Sequence, residues 1–445
     1  YIERGGFYGV AEAIGIDAVQ LMPFAVTKAW HIDLAILWIA TLWLGVGLFL
    51  PPLLTGRDPD NQRRYVHVLL GALFVVVAGG LLGIWLGSQG YIDGELWWIL
   101  GNEGLEYLEV GRLWQVGLLL GFGLWTFLVA RGFKPLLKRE EPHGLAHLII
   151  YAGGSIGLLF AASMFYTPGT TMPVTEFWRW WVVHMWVEGA FEFFVVAVIG
   201  LALVSMNLLS RRSAEKAVML EALLVMGSGI IGVSHHYWWI GMPQYWVPIG
   251  SVFSTLEFIP LVFILFEATN EYRAYATAGE SFPYTLPFAF IIASGIWNFV
   301  GAGVLGFFIN LPLVNYYEHG TFLTVAHAHA AMFGAFGFLA IGMAVYILRF
   351  TTKPGKWDPT NLKRAFWLWN VGLAWMVLVG DIPVGFLQLE AVFTNGYDAG
   401  RSLAFYSKPI IQQIFWARLP GDILLIVGTV VFSYDVFKKR FVRRE

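Results

Sequence analysis

The sequence predicts an all-α polytopic membrane protein, a bundle of about eleven transmembrane helices, and three observations carry that prediction. The first is composition: of 445 residues, 58% are hydrophobic, 17% aromatic and only 13% charged, about half the charge of a typical soluble domain. Too little polar surface remains to cover a water-facing body of this size, whereas a lipid-facing body needs none. The second is that apolar runs long enough to cross roughly 30 Å of hydrocarbon recur along the whole chain. The third is that the links between them are short and rich in Pro, Gly and charge, as from Thr55 to Arg64, so that no soluble domain fits between two runs.

The runs fall at 30–53, 66–89, 112–131, 146–166, 178–208, 217–240, 248–269, 287–310, 320–349, 365–388 and 412–437. Residues 1–29 then form an extracytoplasmic opening segment, 30–437 the transmembrane catalytic bundle and 438–445 a basic cytoplasmic tail. The chain opens on Tyr1 with neither the charged stretch nor the apolar core of a signal peptide, which reads as a fragment or a trimmed chain. The segments after spans one, three, five, seven and nine, with the tail, hold 21 of the 28 basic residues. The excess of Lys and Arg places those segments in the cytoplasm and the acidic loop near 91–111 outside. A net charge of −2 points to no nucleic-acid partner. The absence of cysteine excludes disulfides, iron–sulfur clusters, thiolate zinc, a two-cysteine copper centre and c-type haem attachment. Any metal must be held by His, carboxylate, Met or backbone oxygen.

Of ten histidines, His67, His143, His147 and His319 lie at or near helix ends, where a wetted side chain is ordinary. The other six, His31, His184, His235, His236, His327 and His329, fall at one depth in the outer half of the membrane when their offsets are converted at about 1.5 Å per residue. One intramembrane His is ordinarily a core residue bonded across a helix interface. Six at one depth, on four helices, need a shared reason, and imidazole is the commonest protein ligand for transition metals and haem.

Spacing separates their roles. His184 and Glu188, at i and i+4, share one helix face and can both reach one metal. His235 and His236 point about 100° apart on a regular helix, yet can converge on an ion near a deformable end, and Gly227, Gly229 and Gly232 make that end deformable. His327 and His329, at i and i+2, point to opposite sides and can serve two flat cofactors flanking one helix. Three His and one Glu suit a non-haem ion, the carboxylate favouring iron over copper. Glu192 continues the stripe of His184 and Glu188, and Glu257 lies at matching depth in span seven, both placed to hold or relay protons beside the metal. Asp381 and Asp422 leave open whether a cytoplasmic proton route exists.

At Trp30-His31, at His184 through Glu188 to Glu192, at His235-His236 and at His327-Ala328-His329-Ala330 the chain resembles the haem–copper oxidase superfamily, and within it the large subunit of bacterial nitric oxide reductase. The resemblance covers essentially all 445 residues. It implies that His31 and His329 are axial ligands of a low-spin haem b, His327 the proximal ligand of a high-spin haem b, and His184, Glu188, His235 and His236 the ligands of a non-haem iron. By the same resemblance Glu192 and Glu257 match acids that tune that iron or supply its protons, and Glu106 and Glu109, in the outer loop running to Arg112, match a calcium-binding segment. Oxygen-reducing relatives commonly carry Tyr four residues after the first metal-binding His, where this chain has Glu188, so the implied reaction is the coupling of two NO to N2O and water. Phe7 to Gly9, Gly15 to Asp17 and Leu21 to Phe24 resemble the quinol-dependent type. The implied electron donor is therefore membrane quinol, with a cytochrome c subunit as the alternative. The N-terminal helix, hydrophilic domain and further helix that precede this segment in quinol-dependent members are absent from this sequence. The implied location is a bacterial or archaeal plasma membrane, with the active site toward the extracytoplasmic side. An oxygen reductase with copper in place of the non-haem iron is the nearest rival. A haem-free transporter using the same residues as a proton relay is the second, and the sequence lacks the internal repeat many transporters carry.

Overall fold

The computed structural model describes residues 13, 15, 17–102, 108, 110–139, 143–257 and 259–439. Among these described residues, eleven helices are long and apolar enough to cross a membrane. They are α1 (Phe24–Thr55), α2 (Gln62–Ser88), α3 (Arg112–Leu137), α4 (Gly144–Met164), α5 (Met172–Ser205), α6 (Arg211–Trp239), α7 (Trp246–Tyr275), α8 (Thr285–Asn310), α9 (Phe322–Thr351), α10 (Thr360–Asn395) and α11 (Pro409–Phe437). Each coincides with one predicted run, and no strand occurs among the described residues. Several ends lie beyond the predicted runs, as at the starts of α5 and α6 and the ends of α3 and α7. α1 already includes residues 24–29, which the hydropathy pattern assigned to the opening segment. α10 runs on to Asn395 because Gln388, Glu390 and Thr394 dilute the apolar signal without breaking the helix, which stops only at Gly396 with φ 95°.

The chain divides into two compact units. The first comprises Tyr1–Ala197 with Trp239–Met242, and the second Val198–Trp238 with Pro243–Glu445. In the first, α3 packs against α1, α2 and α4. Indoles there reach carbonyls of neighbouring helices, which satisfies their N–H groups in a medium without water: the buried Trp125 Nε1 donates to Leu44 O at 3.0 Å and the half-buried Trp30 Nε1 to Leu81 O at 3.0 Å. Trp186, wholly buried, lies between Phe160 and Phe191 at ring separations of 4.9 and 4.8 Å. At the start of α3, Arg112 caps the turn after α4, donating to Ser163 O at 2.8 Å and to Tyr166 O.

In the second unit, α8 packs on α9, α9 on α10, and α10 along α11. Ser294 Oγ donates to Ala335 O at 2.7 Å, the Phe322 N–H to Gln388 Oε1 at 2.7 Å, and Trp369 Nε1 to Leu425 O at 3.2 Å. Enclosure is uneven along the chain: the apolar stretch of α5 is 89% buried and that of α9 72%, against 17% for α11. α5 and α9 carry His184, Glu188, His327 and His329, so those ligand candidates sit on the two most enclosed helices.

Five of the described spans contain π-helical turns. π-helical stretches interrupt α5 at Trp181–Ala190, α6 at Leu224–Ser228, α8 at Phe299–Leu305, α9 at Ala330–Gly337 and α10 at Met376–Asp381. Such widened turns cost helical hydrogen-bond geometry and occur mostly where a side chain must be re-aimed for function.

Candidate functional site

His184 and Glu188 both lie inside the widened stretch Trp181–Ala190 of α5, not on the regular α-turn that their spacing suggests. The i and i+4 positions nevertheless meet: His184 Nδ1 and Glu188 Oε2 are 2.6 Å apart. The imidazole is fully enclosed, while the carboxylate is about one-third exposed. Glu192 follows in the first α-helical turn after the π stretch and is itself buried.

His235 and His236 sit on a 3-10 helix, Val233–Trp239, that follows Gly229–Gly232 and is kinked at Tyr237 (φ −95°, ψ 27°). The deformable end anticipated from the glycines is thus present. Its effect is to bring the two adjacent rings to a centroid separation of 3.8 Å at 41°, where a regular helix would splay them. Ser234 Oγ pins the backbone here by donating to Ile231 O at 2.8 Å and to Trp246 O at 2.7 Å. By donor chemistry His184, Glu188, His235 and His236 offer three imidazole nitrogens and one carboxylate oxygen. Three borderline nitrogen donors and one hard oxygen fit a divalent transition metal, iron included.

His327 and His329 engage different neighbours in the second unit, as two residues on opposite faces of α9 must. His327 Nδ1 is 2.8 Å from Gly301 O. A carbonyl can only accept, so Nδ1 carries the proton and Nε2 the lone pair, the tautomer in which an imidazole binds iron through Nε2. Gly301 makes the approach possible, since a Cβ there would lie 2.7 Å from backbone atoms of Ala330 and Ala331. His329 Nδ1 is 2.8 Å from Asp381 Oδ2, and Arg418 Nη1 donates to the other oxygen of that carboxylate at 2.9 Å. Both rings therefore fit a haem ligand held by a hydrogen bond at its far nitrogen.

His31 lies in the second turn of α1, exposed, two residues before the buried Asp33. Glu257 is buried at the turn over residues 255–257, where α7 loses its helical form. Glu106 and Glu109 fall outside the described residues.

Three groups escape sequence inspection. In the sequence Asp381 is one scattered polar residue among several; in the structure it is the partner of His329. Arg418 counts by position with the outer basic residues, yet it lies inside α11 beside Asp381. The signal is there to read: an Arg six residues into an apolar run, with Asp422 at i+4, is costly in lipid unless it serves a buried partner. The third is Glu318, at the end of the short helix Pro312–Glu318 outside the spans. Its carboxylate accepts from Thr324 Oγ1 at 2.8 Å. Burial raises its pKa to about 8, against the lowering effects of Thr324 and Arg401. Arg401 stacks over Tyr397 at 3.8 Å and donates to His319 O; burial also raises the Tyr397 and Tyr406 hydroxyls above their usual range.

Comparison with known proteins places these observations in a family. The family model of cytochrome c and quinol oxidase polypeptide I matches residues 5–424. A nitric oxide reductase subunit of Stutzerimonas stutzeri is 27% identical over 458 residues, spanning 98% of this chain and 90% of that protein. A haem–copper terminal oxidase dimer determined by cryo-EM has the same fold, with a TM-score of 0.66 and 13% identity over 99% of this chain and 82% of that one. A multi-pass helical membrane protein matched along nearly its whole length, the chain belongs to the cytochrome c and quinol oxidase polypeptide I family of the haem–copper oxidase superfamily.

Proposed function

We propose that the protein is a nitric oxide reductase that couples two NO to N2O and water, with His184, Glu188, His235 and His236 holding a non-haem iron, His327 a high-spin haem b, and His31 with His329 a low-spin haem b. The observation that carries this reading is the carboxylate in the donor set, Glu188, 2.6 Å from His184 in a widened turn of an enclosed helix. The full-length similarity to a nitric oxide reductase subunit supports it. When bound, the haem and non-haem irons supply the redox chemistry that takes two NO, two electrons and two protons to N2O and water.

The chain's own residues do the rest. The π stretch of α5 aims an imidazole and a carboxylate at one point, and the kinked 3-10 end of α6 aims two more imidazoles. The fixed Nδ1 partners of His327 and His329 hold each ring in one tautomer and one orientation, so that no reorganisation is needed when charge moves. Glu192 on α5 and Glu257 in α7 are buried carboxyls, suited to hold protons for release to the reacting oxygen. The electron donor in this proposal is membrane quinol, with a cytochrome c subunit as the alternative, and Glu106 and Glu109 hold a calcium ion in the outer loop. The positive-inside count puts the ligand set toward the extracytoplasmic face.

Purified protein carrying Glu188→Ala tests the proposal. The expected result is loss of the non-haem iron with both haems retained, and a fall in NO consumption beyond the roughly 100-fold ceiling of an outer-layer change. Normal iron content and normal NO turnover would overturn it. An oxygen reductase would instead contain copper and turn over O2 in preference to NO.

A further inference from the structure

A chain of charged contacts outside the metal donor set links His329 on α9 with α10 and α11. His329 Nδ1 meets Asp381 Oδ2 at 2.8 Å; Arg418 Nη1 donates to Asp381 Oδ1 at 2.9 Å; Arg418 Nε donates to Asp422 Oδ1 at 3.2 Å; and Arg418 Nη2 lies 3.3 Å from Met376 Sδ. Asp381 is wholly buried. It ends the π stretch Met376–Asp381, where α10 is re-aimed. Gly380 beside it leaves room for the arginine stem, since a Cβ there would sit 2.8 Å from Arg418 Cδ. A buried carboxylate and guanidinium inside a membrane are costly to desolvate. Helix packing alone has no need of them, because α10 and α11 already interlock through Trp369 and Trp375.

We propose that Asp381 and Arg418 are positioning residues that set the electron affinity of the low-spin haem through His329. The inference rests on the reading of His329 as an axial ligand. A carboxylate at Nδ1 draws the ring N–H toward itself and makes Nε2 a stronger donor, which favours the oxidised iron. The guanidinium on the same carboxylate draws charge away from that bond and favours the reduced iron. Asp422 acts one step further out, by sharing the guanidinium. The haem then accepts one electron at a potential fixed by a balance of opposite charges within the dry bundle, where each weighs more than it would in water.

The test is a spectroelectrochemical titration of the low-spin haem in the purified holoenzyme. D381N should shift the ratio of reduced to oxidised haem up about tenfold at a given potential, a midpoint change of about 59 mV for one electron. R418Q should shift it about tenfold the other way, and the double variant should return close to wild type. D422N leaves the Asp381–Arg418 pair intact and so keeps the test alive if either of those variants fails to assemble. It should shift the ratio up about threefold, because one negative charge beside the guanidinium is gone. A D422N shift no larger than that of a T429V control on the same helix, or one in the opposite direction, would overturn the charge balance. Shifts of D381N and R418Q in the same direction, or no shift in either, would also overturn it. Low-spin ferric resonance spectra of His329→Ala separate this from the underlying reading: a retained bis-imidazole signal would sink the ligand assignment, whereas its loss together with unshifted D381N and R418Q would sink the tuning alone.

Discussion

His327 and His329 stand two residues apart on one helix, yet the molecule treats them differently. His327 is bonded to a neutral backbone carbonyl, Gly301 O, on a π turn of α8. His329 is bonded to a carboxylate, Asp381, on a π turn of α10, with a guanidinium behind it. A carbonyl dipole fixes a ring and its tautomer without adding charge. An ion pair fixes the ring and also weights its electron density. The same side chain is thereby suited to two offices: an open ligand beside a reacting centre, and a tuned ligand in an electron path.

The largest expected effect breaks the comparison outright. His327→Ala should abolish the high-spin haem signal while sparing the low-spin one, and His329→Ala should do the reverse, as read in the reduced-minus-oxidised and carbon monoxide difference spectra. Loss of both signals, or of neither, in either variant would contradict the division of roles. Next is Gly301→Ala, which forces a Cβ against the backbone of Ala330 and Ala331. Overpacking of this kind costs about 1–3 kcal/mol, and the pull on the His327 bond should alter the high-spin haem spectrum while the low-spin midpoint potential stays put. A changed low-spin potential would mean that the two sides of α9 are not separable.

The smallest effect sharpens the account just before the start of α9. Glu318 has a folded pKa of about 8, above the ordinary 4.5. Between those values the folded protein binds the proton that the unfolded chain has released, so this group favours unfolding progressively as pH rises from about 4.5 to 8 and adds no further change above that. Glu318→Gln should therefore raise the melting temperature of the purified protein more at about pH 8 than at about pH 5. An equal change at both values would contradict the burial of a neutral carboxyl there.

The spans were legible because hydropathy over about 20 residues is a strong signal in lipid, and each apolar run became one helix. The histidines and their companions Glu188, Glu192 and Glu257 were legible as polar groups where polarity is costly. What could not be read was the local geometry. Nothing in Trp181–Ala190 or Met376–Asp381 announces a π turn, because the insertion is selected by packing against other helices and not by local propensity. The partnership of Asp381 with His329 across 52 positions of sequence is likewise a tertiary fact. Arg418 was half-legible: its i+4 acid marked it as paired, and its true partner, 37 positions away on α10, did not show.

The most direct test of the central claim is a reduced-minus-oxidised optical spectrum of the purified protein, taken with haem extraction and iron and copper analysis. The account predicts two b-type haems, one high-spin and one low-spin, with about three irons and no copper per chain. Copper in place of the third iron would contradict the nitric oxide reductase reading in favour of an oxygen reductase, and protein that binds no haem would contradict the ligand assignments themselves.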